Sequence, residues 1–185
     1  MTFYYLDTET TGFNPKEDKI ITIQYQKVDN VGKAWGDLII LKEWELGEEE
    51  MVRKFFKVFF KENNPFNFIP IQQNSLFDFQ FLLERFKRYN LITNDKIDFL
   101  FKIPIVDIHS TLIIANNMYF KNSGLNYFTA KKDSGIIIPD LYAKKEYAKI
   151  EEYIKQETKS FIDAFEILCR ELPKLKSLLK KEEIK

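Results

Sequence analysis

Apolar residues at the start of the chain form a short run that stops on acids: Phe3-Tyr4-Tyr5-Leu6-Asp7-Thr8-Glu9-Thr10-Thr11-Gly12. The run predicts a β-strand, in which residues two apart point the same way. Asp7 and Glu9 then stand side by side where a buried strand ends. Residues 12–18, with Pro15, read as a loop. Strand-like runs follow at residues 20–28 (IITIQYQKV) and 37–44 (DLIILKEW), separated by the turn-prone Asp29-Asn30-Val31-Gly32. Three strands in succession with short connections suggest an antiparallel meander.

The period then changes. Residues 48–61 predict a helix with Met51, Val52, Phe55, Val58 and Phe59 on one side, and Phe56 and Phe60 widen that face beyond a stripe. A face that wide reads as burial between a sheet and a neighbouring helix, or as a partner interface. Residues 67–73 read as a strand, 77–89 as a helix, 102–108 as a strand, 110–119 as a helix and 124–133 as one more. From Lys144 the pattern is helical nearly to the end, with Pro173 marking a break or the start of a last helix. The fold class expected is α/β, a mixed sheet made of the three-strand meander plus parallel strands, with helices on both faces. Residues 1–185 read as one domain, with residues 173–185 a Lys-rich helical tail.

Composition narrows the function classes. Hydrophobic residues at 45% and charged residues at 30% describe an ordinary soluble globular chain. The single Cys169 excludes an internal disulfide and a cysteine metal cluster. No basic leader precedes a short apolar core, and no uncharged stretch approaches the length of a membrane span, so the cytoplasm is the expected compartment and no membrane partner is expected. Charge balances at 28 basic and 28 acidic residues, which argues against coating long duplex nucleic acid but not against gripping a strand end locally. Arg53-Lys54 with Lys57, Lys131-Lys132, Lys144-Lys145 and the tail read as solvated faces.

Three acidic positions carry the chemistry. Two adjacent carboxylates raise one another's pKa or call for a cation, and hard oxygen donors suit Mg²⁺ or Mn²⁺. Asp7 and Glu9 are the first such place. The second is Asn74-Ser75-Leu76-Phe77-Asp78, where a strand ends and Asp78 falls in the first turn of a helix. There it is either a ligand or an acid favoured by the helix dipole. The third is Glu157. At about 100° per residue it shares the apolar side with Ile150, Tyr153, Ile154, Phe161, Phe165 and Leu168. A carboxylate on a buried face needs compensation, by a metal or by a buried ion pair. Asp163 falls about 120° away and reads as solvent-facing.

Together these segments resemble the DEDD (DnaQ-like) superfamily of 3′–5′ exonucleases, on a ribonuclease H-like fold. Asp7-Thr8-Glu9-Thr10-Thr11-Gly12 resembles the family's first motif and Asn74 to Leu82 its second. Tyr153-Ile154-Lys155-Gln156-Glu157 is similar to the Tyr-x-x-x-Asp motif of the tyrosine-type branch. Gly124-Leu125-Asn126, Ile138-Pro139-Asp140 and Ile150 are similar to the flanking pattern of DNA polymerase B-type exonuclease domains. The likeness spans about residues 1 to 170, and Glu157 stands where the family has Asp. The histidine-type branch would end at Asp163, but its histidine position is then Thr158, and the only histidine is His109.

The resemblance implies two divalent ions, Mg²⁺ or Mn²⁺. Asp7 would bridge both, Glu9 and Glu157 would hold the ion that binds the attacking water, and Asp78 would help hold the other. Tyr153 would orient or help deprotonate that water. Thr8, Thr10 and Thr11 would contact the terminal nucleotide and Asn74 would steady the site. Phe13 would stack on a terminal base or anchor its loop in the core. Asp107 reads as a helix-capping acid and His109 as non-catalytic. The implied substrate is the 3′ end of single-stranded or frayed DNA or RNA, with a polymerase or another replication or repair protein as a possible partner. The competing expectations are a catalytically weakened module that binds nucleic acid or regulates a partner, and an endonuclease of the same fold.

Overall fold

A computed structural model describes residues 1–61, 64–92, 102–129 and 135–182, with side chains through residue 173. Among them, strands β1 (Phe3–Thr10), β2 (Ile20–Val28), β3 (Ile39–Lys42), β4 (Ile69–Gln72) and β5 (Val106–Asp107) form one sheet in the order β3-β2-β1-β4-β5. β1, β2 and β3 pair antiparallel, while β4 runs parallel to β1 and β5 parallel to β4. This is the expected meander extended by parallel strands. The turn after β2 is closed by Asp29, whose Oδ1 accepts from the amides of Val31 (3.0 Å) and Lys33 (2.8 Å).

Helices cover both faces. α1 (Glu43–Leu46) leads into α2 (Glu48–Phe59), which packs with α3 (Ser75–Arg88) over Leu6, Ile23 and Tyr25. The wide aromatic face of α2 is explained by this double contact, since Phe55 meets the sheet while Phe56 packs on Phe86 of α3 (5.0 Å between ring centres). Each Phe fully removed from water contributes roughly 1.5–3 kcal/mol. On the other face lie α4 (His109–Ala115), α5 (Leu125–Phe128), α6 (Ile138–Ala143) and α7 (Tyr147–Glu182). Tyr5 and Ile71 pack there against Leu112, Leu125 and Phe161, and Ile21 packs against Ile138, Ile150 and Ile154.

Several boundaries differ from expectation for local reasons. β3 stops at Lys42 because the chain turns into α1, where Trp44 stacks on Tyr147 (4.5 Å). Only Val106–Asp107 of residues 102–108 pair, because Pro104 offers no N–H to a ladder. The helix expected at 124–133 is α5 as far as Phe128; residues 130–134, with the Lys131-Lys132 pair, lie outside the described residues. α6 was hidden in a short apolar stretch and begins with a proline in its first turn, where no intrahelical N–H is needed. α7 continues through Pro173, because a proline removes one hydrogen bond and bends a helix without having to end it. Among the described residues, no helix is long and apolar enough to cross a membrane.

Candidate active site

β1 and β4 pair only through Phe3–Tyr5 with Ile69–Ile71 and then part. A crevice opens at the carboxyl ends of parallel strands, where open α/β sheets place their sites. Along β1 the side chains of Tyr5, Asp7 and Glu9 fall on the α7 side, Tyr5 packing on Phe161 at 4.9 Å. From α7, Ile150, Tyr153, Ile154, Phe161 and Phe165 are buried, and Glu157 shares their face. One carboxylate oxygen from each of Asp7, Glu9 and Glu157 lies within 4.8 Å of the others. Asp163 faces solvent, paired with Lys159 one turn away at 2.5 Å, as its helical phase requires.

Negative charge concentrated here marks its neighbours. Tyr153 is 7% exposed, and its hydroxyl is bonded to Glu157. Burial, then the charges of Glu157, Glu9 and Asp7, hold its proton far more tightly than an ordinary phenol's. Burial and the same acids, Asp7 first, push the Tyr5 hydroxyl up as well. That hydroxyl donates to Asp7 Oδ2 at 3.2 Å. Gly135 closes the site from above: a Cβ there would lie 3.3 Å from Tyr153 Oη and 3.7 Å from Glu9 Oε2. Three converging carboxylates under a side-chain-free roof form a hard-oxygen donor set that fits Mg²⁺ or Mn²⁺.

Asp78 stands beside this group. Its Oδ1 accepts from the Thr8 amide (3.0 Å) and Thr8 Oγ1 (2.6 Å), and its Oδ2 from Gln72 Nε2 (3.1 Å). Burial pushes its pKa up to about 7, with Thr8 acting against the shift and the charge of Glu157 adding to it. Of the four expected ligands, the structure therefore groups three and ties the fourth to the strand residue between two of them.

The threonines of the first motif also serve the protein itself. Thr10 Oγ1 donates to the Gly12 carbonyl at 2.6 Å, and Thr11 Oγ1 accepts from the Lys19 amide at 2.9 Å, bracing the loop. Phe13 at the loop tip is 80% exposed, which removes the core-anchor reading. Its ring meets Phe77 edge-on at 6.2 Å. A cleft of about 280 Å³ runs between Thr8, Glu9, Phe13 and Phe77 on one side and Gly135 and Ile136 on the other. Asn74 adopts the left-handed conformation (φ 61°) that Asn tolerates, directly before α3. Asp107 is a cap twice over, accepting from the amides of Ser75 (2.8 Å) and His109 (2.9 Å). Burial opposes its ionisation, but these donors outweigh burial and hold its carboxyl below the usual range. His109 Nε2 lies 3.4 Å from Ser123 Oγ.

Residues that pattern reading passed over complete the surroundings. Gln24 Nε2 donates to Asp7 Oδ2 at 2.9 Å. The fully buried Arg85 binds Glu48 (2.5 Å), the Pro15 carbonyl (2.6 Å) and the Asp18 carbonyl, holding the loop behind Phe13. The sequence signal for Gln24 was a polar residue in the middle of an apolar strand; for Arg85 it was a cation on the face of α3 that carries Phe81 and Leu82.

Comparison with solved structures finds the same fold in exonuclease I. E. coli exonuclease I in complex with a dT13 oligonucleotide superposes with a TM-score of 0.64 at 13% identity, covering 96% of this chain and 43% of that one. A second exonuclease I structure, described as suggesting how processivity is achieved, gives 0.55 at 15% identity over 88% of this chain and 42% of its own. An ExoI/SSB-Ct complex gives 0.52 at 14% identity over 88% and 43%. The chain thus spans less than half the length of these exonuclease chains. Comparison with curated proteins finds no match. A family model described as the RNase H superfamily matches residues 4–132, more than half of the sequence, and the chain belongs to that superfamily.

Proposed function

We propose that the chain is a metal-dependent 3′–5′ exonuclease that releases nucleoside monophosphates from single-stranded or frayed ends. The observation that carries this reading is the convergence of Asp7, Glu9 and Glu157 within 4.8 Å, under Tyr153 and beside a cleft that opens at Phe13. Glu157 reaches the other acids despite standing where the family has Asp, which favours an active centre over a decayed one. The likeness to exonuclease I, seen with a dT13 oligonucleotide, supports a single strand as substrate.

Asp7, Glu9 and Glu157 would hold one divalent ion, and Asp78 with Asp7 a second. Such ions, when bound, supply an activated water and charge stabilisation for the leaving oxygen. The chain's own residues do the rest. Tyr153, buried beside the acids with its hydroxyl bonded to Glu157, would orient or help deprotonate the attacking water. Phe13 offers an exposed ring on which a terminal base can stack, worth about 1–3 kcal/mol. Thr8, Thr10 and Asn74 set the backbone that receives the terminal nucleotide. Phe77 and Ile136 give the cleft apolar walls.

The test is Mg²⁺- or Mn²⁺-dependent shortening of a labelled single strand. Asp7→Ala should lower the rate by more than about 100-fold, beyond the range of residues that merely support ligands. Glu157→Gln should lower it sharply, Glu157→Asp should retain or raise it, and Asp163→Asn should change little. Mononucleotide products are expected, and discrete internal fragments would identify an endonuclease instead.

A further inference from the structure

Thr22 and Gln24, both fully buried, lie in the middle of β2, where apolar side chains would fill the same space. Burying a carboxamide without partners costs on the order of 1–3 kcal/mol, so its hydrogen bonds need an account. Cross-strand register supplies it. Gln24 pairs with Asp7 and Thr22 with Glu9, which sets two neutral polar side chains next to two acids on one face of the sheet. Thr22 Oγ1 donates to Gln24 Oε1 at 3.0 Å, and Gln24 Nε2 donates to Asp7 Oδ2 at 2.9 Å. The carboxylate fixes the direction of this relay. An ionised Asp only accepts, so it draws the amide N–H towards itself and turns the amide oxygen to the threonine.

We propose that Gln24, seated by Thr22, is a positioning residue for Asp7, anchoring Oδ2 from the sheet and thereby fixing the plane in which the carboxylate meets a divalent cation shared with Glu9 and Glu157. The inference rests on the metal-site reading given above. A lysine at position 24 would also hold Asp7, but it would cancel the charge that attracts a dication. A carboxamide orients the acid and leaves its charge in place. Outer partners of this kind are commonly worth 10–100-fold in metal affinity.

Mn²⁺ binding to the full chain, followed by the electron paramagnetic resonance of free Mn²⁺ without nucleic acid, tests this apart from turnover. Gln24→Leu and Gln24→Met should each weaken Mn²⁺ binding about tenfold or more. Thr22→Val should weaken it a few-fold. The metal-free thermal midpoint of the Gln24 variants should fall modestly, because Thr22 Oγ1 and Asp7 Oδ2 each lose a buried partner. Affinities are therefore compared well below all the midpoints. Mn²⁺ affinity within twofold of the parent in both Gln24 variants overturns the proposal. Should both fail to fold, Thr22→Val decides, since it keeps the shape and loses only the hydroxyl; an unchanged affinity there overturns it equally. If the parent binds no Mn²⁺, or Asp7→Ala binds it as tightly as the parent, the metal-site reading itself falls. If Asp7→Ala abolishes binding and the Gln24 variants leave it intact, only the positioning role falls.

Discussion

Asp78 sets burial against charge more sharply than its neighbours do. Its carboxyl is 2% exposed and pushed up to about 7, so the folded chain holds the proton more tightly than the unfolded chain does. Below about pH 4 both states are protonated and burial costs nothing; the cost grows as pH rises and is complete above about pH 7. Metal-free Asp78→Asn should therefore be more stable than the parent at pH 8, by on the order of 3 kcal/mol, with the gain fading towards pH 4. Thermal melting in chelator at the two pH values checks this, and a gain that grew towards acid would contradict it. The amide is accommodated locally, because Gln72 Oε1 has no hydrogen-bond partner among the described residues and can accept from the new N–H₂ once the Gln72 amide turns over. At this scale Glu157 was legible, because helical phase alone put a carboxylate on the apolar face of α7. Gln24 was not, since its meaning lies in the register between two strands and a single strand's pattern does not carry register. Asp78 was legible as an acid at a helix start, but not its capture by Thr8, which depends on how far β1 and β4 run together.

Loop 11–19 is held by other elements as well as by its own turns. Arg85 of α3 grips its carbonyls and Glu48 of α2, and Glu48 in turn accepts from the Ile20 amide (2.8 Å) and Tyr89 Oη (2.8 Å). Burial and Glu48 together push the Tyr89 hydroxyl up to about 12. The Arg85 and Glu48 side chains are 0% and 9% exposed, so removing one leaves the other charged and stranded. Arg85→Met should cost roughly 3–5 kcal/mol in urea unfolding, while Arg85→Met combined with Glu48→Gln should recover most of it. If the double variant were as unstable as the single one, the stranded charge would not be the cause. Long elements with a clear period, α2, α3 and α7, were readable from sequence because their apolar faces repeat over three turns or more. The short ones were not. α1 and α6 hold too few residues to show a period, and their existence depends on Trp44 and Tyr142 packing near Tyr147.

For the molecule as a whole, the strand directions followed from the succession of elements, since a meander is antiparallel and strands reached through helices add in parallel. The order that sets β4 beside β1 did not follow from it. The same succession did not show where the strands separate. With no net charge to draw a polyanion, binding should depend on the few phosphates at the site. Affinity for a short single strand, measured with Ca²⁺ in place of Mg²⁺, should fall less than about tenfold between 50 and 200 mM salt. A fall of a thousandfold would reveal a basic track instead. The separation of β1 from β4 has a consequence of its own. Past Tyr5, the Thr8 amide is bonded to a side chain, Asp78 Oδ1, on the edge that β4 has left. Its proton is thus a gauge wired to one carboxylate, and in a ¹H–¹⁵N spectrum its resonance would register whether Asp78 is charged, neutral or turned towards a bound ion.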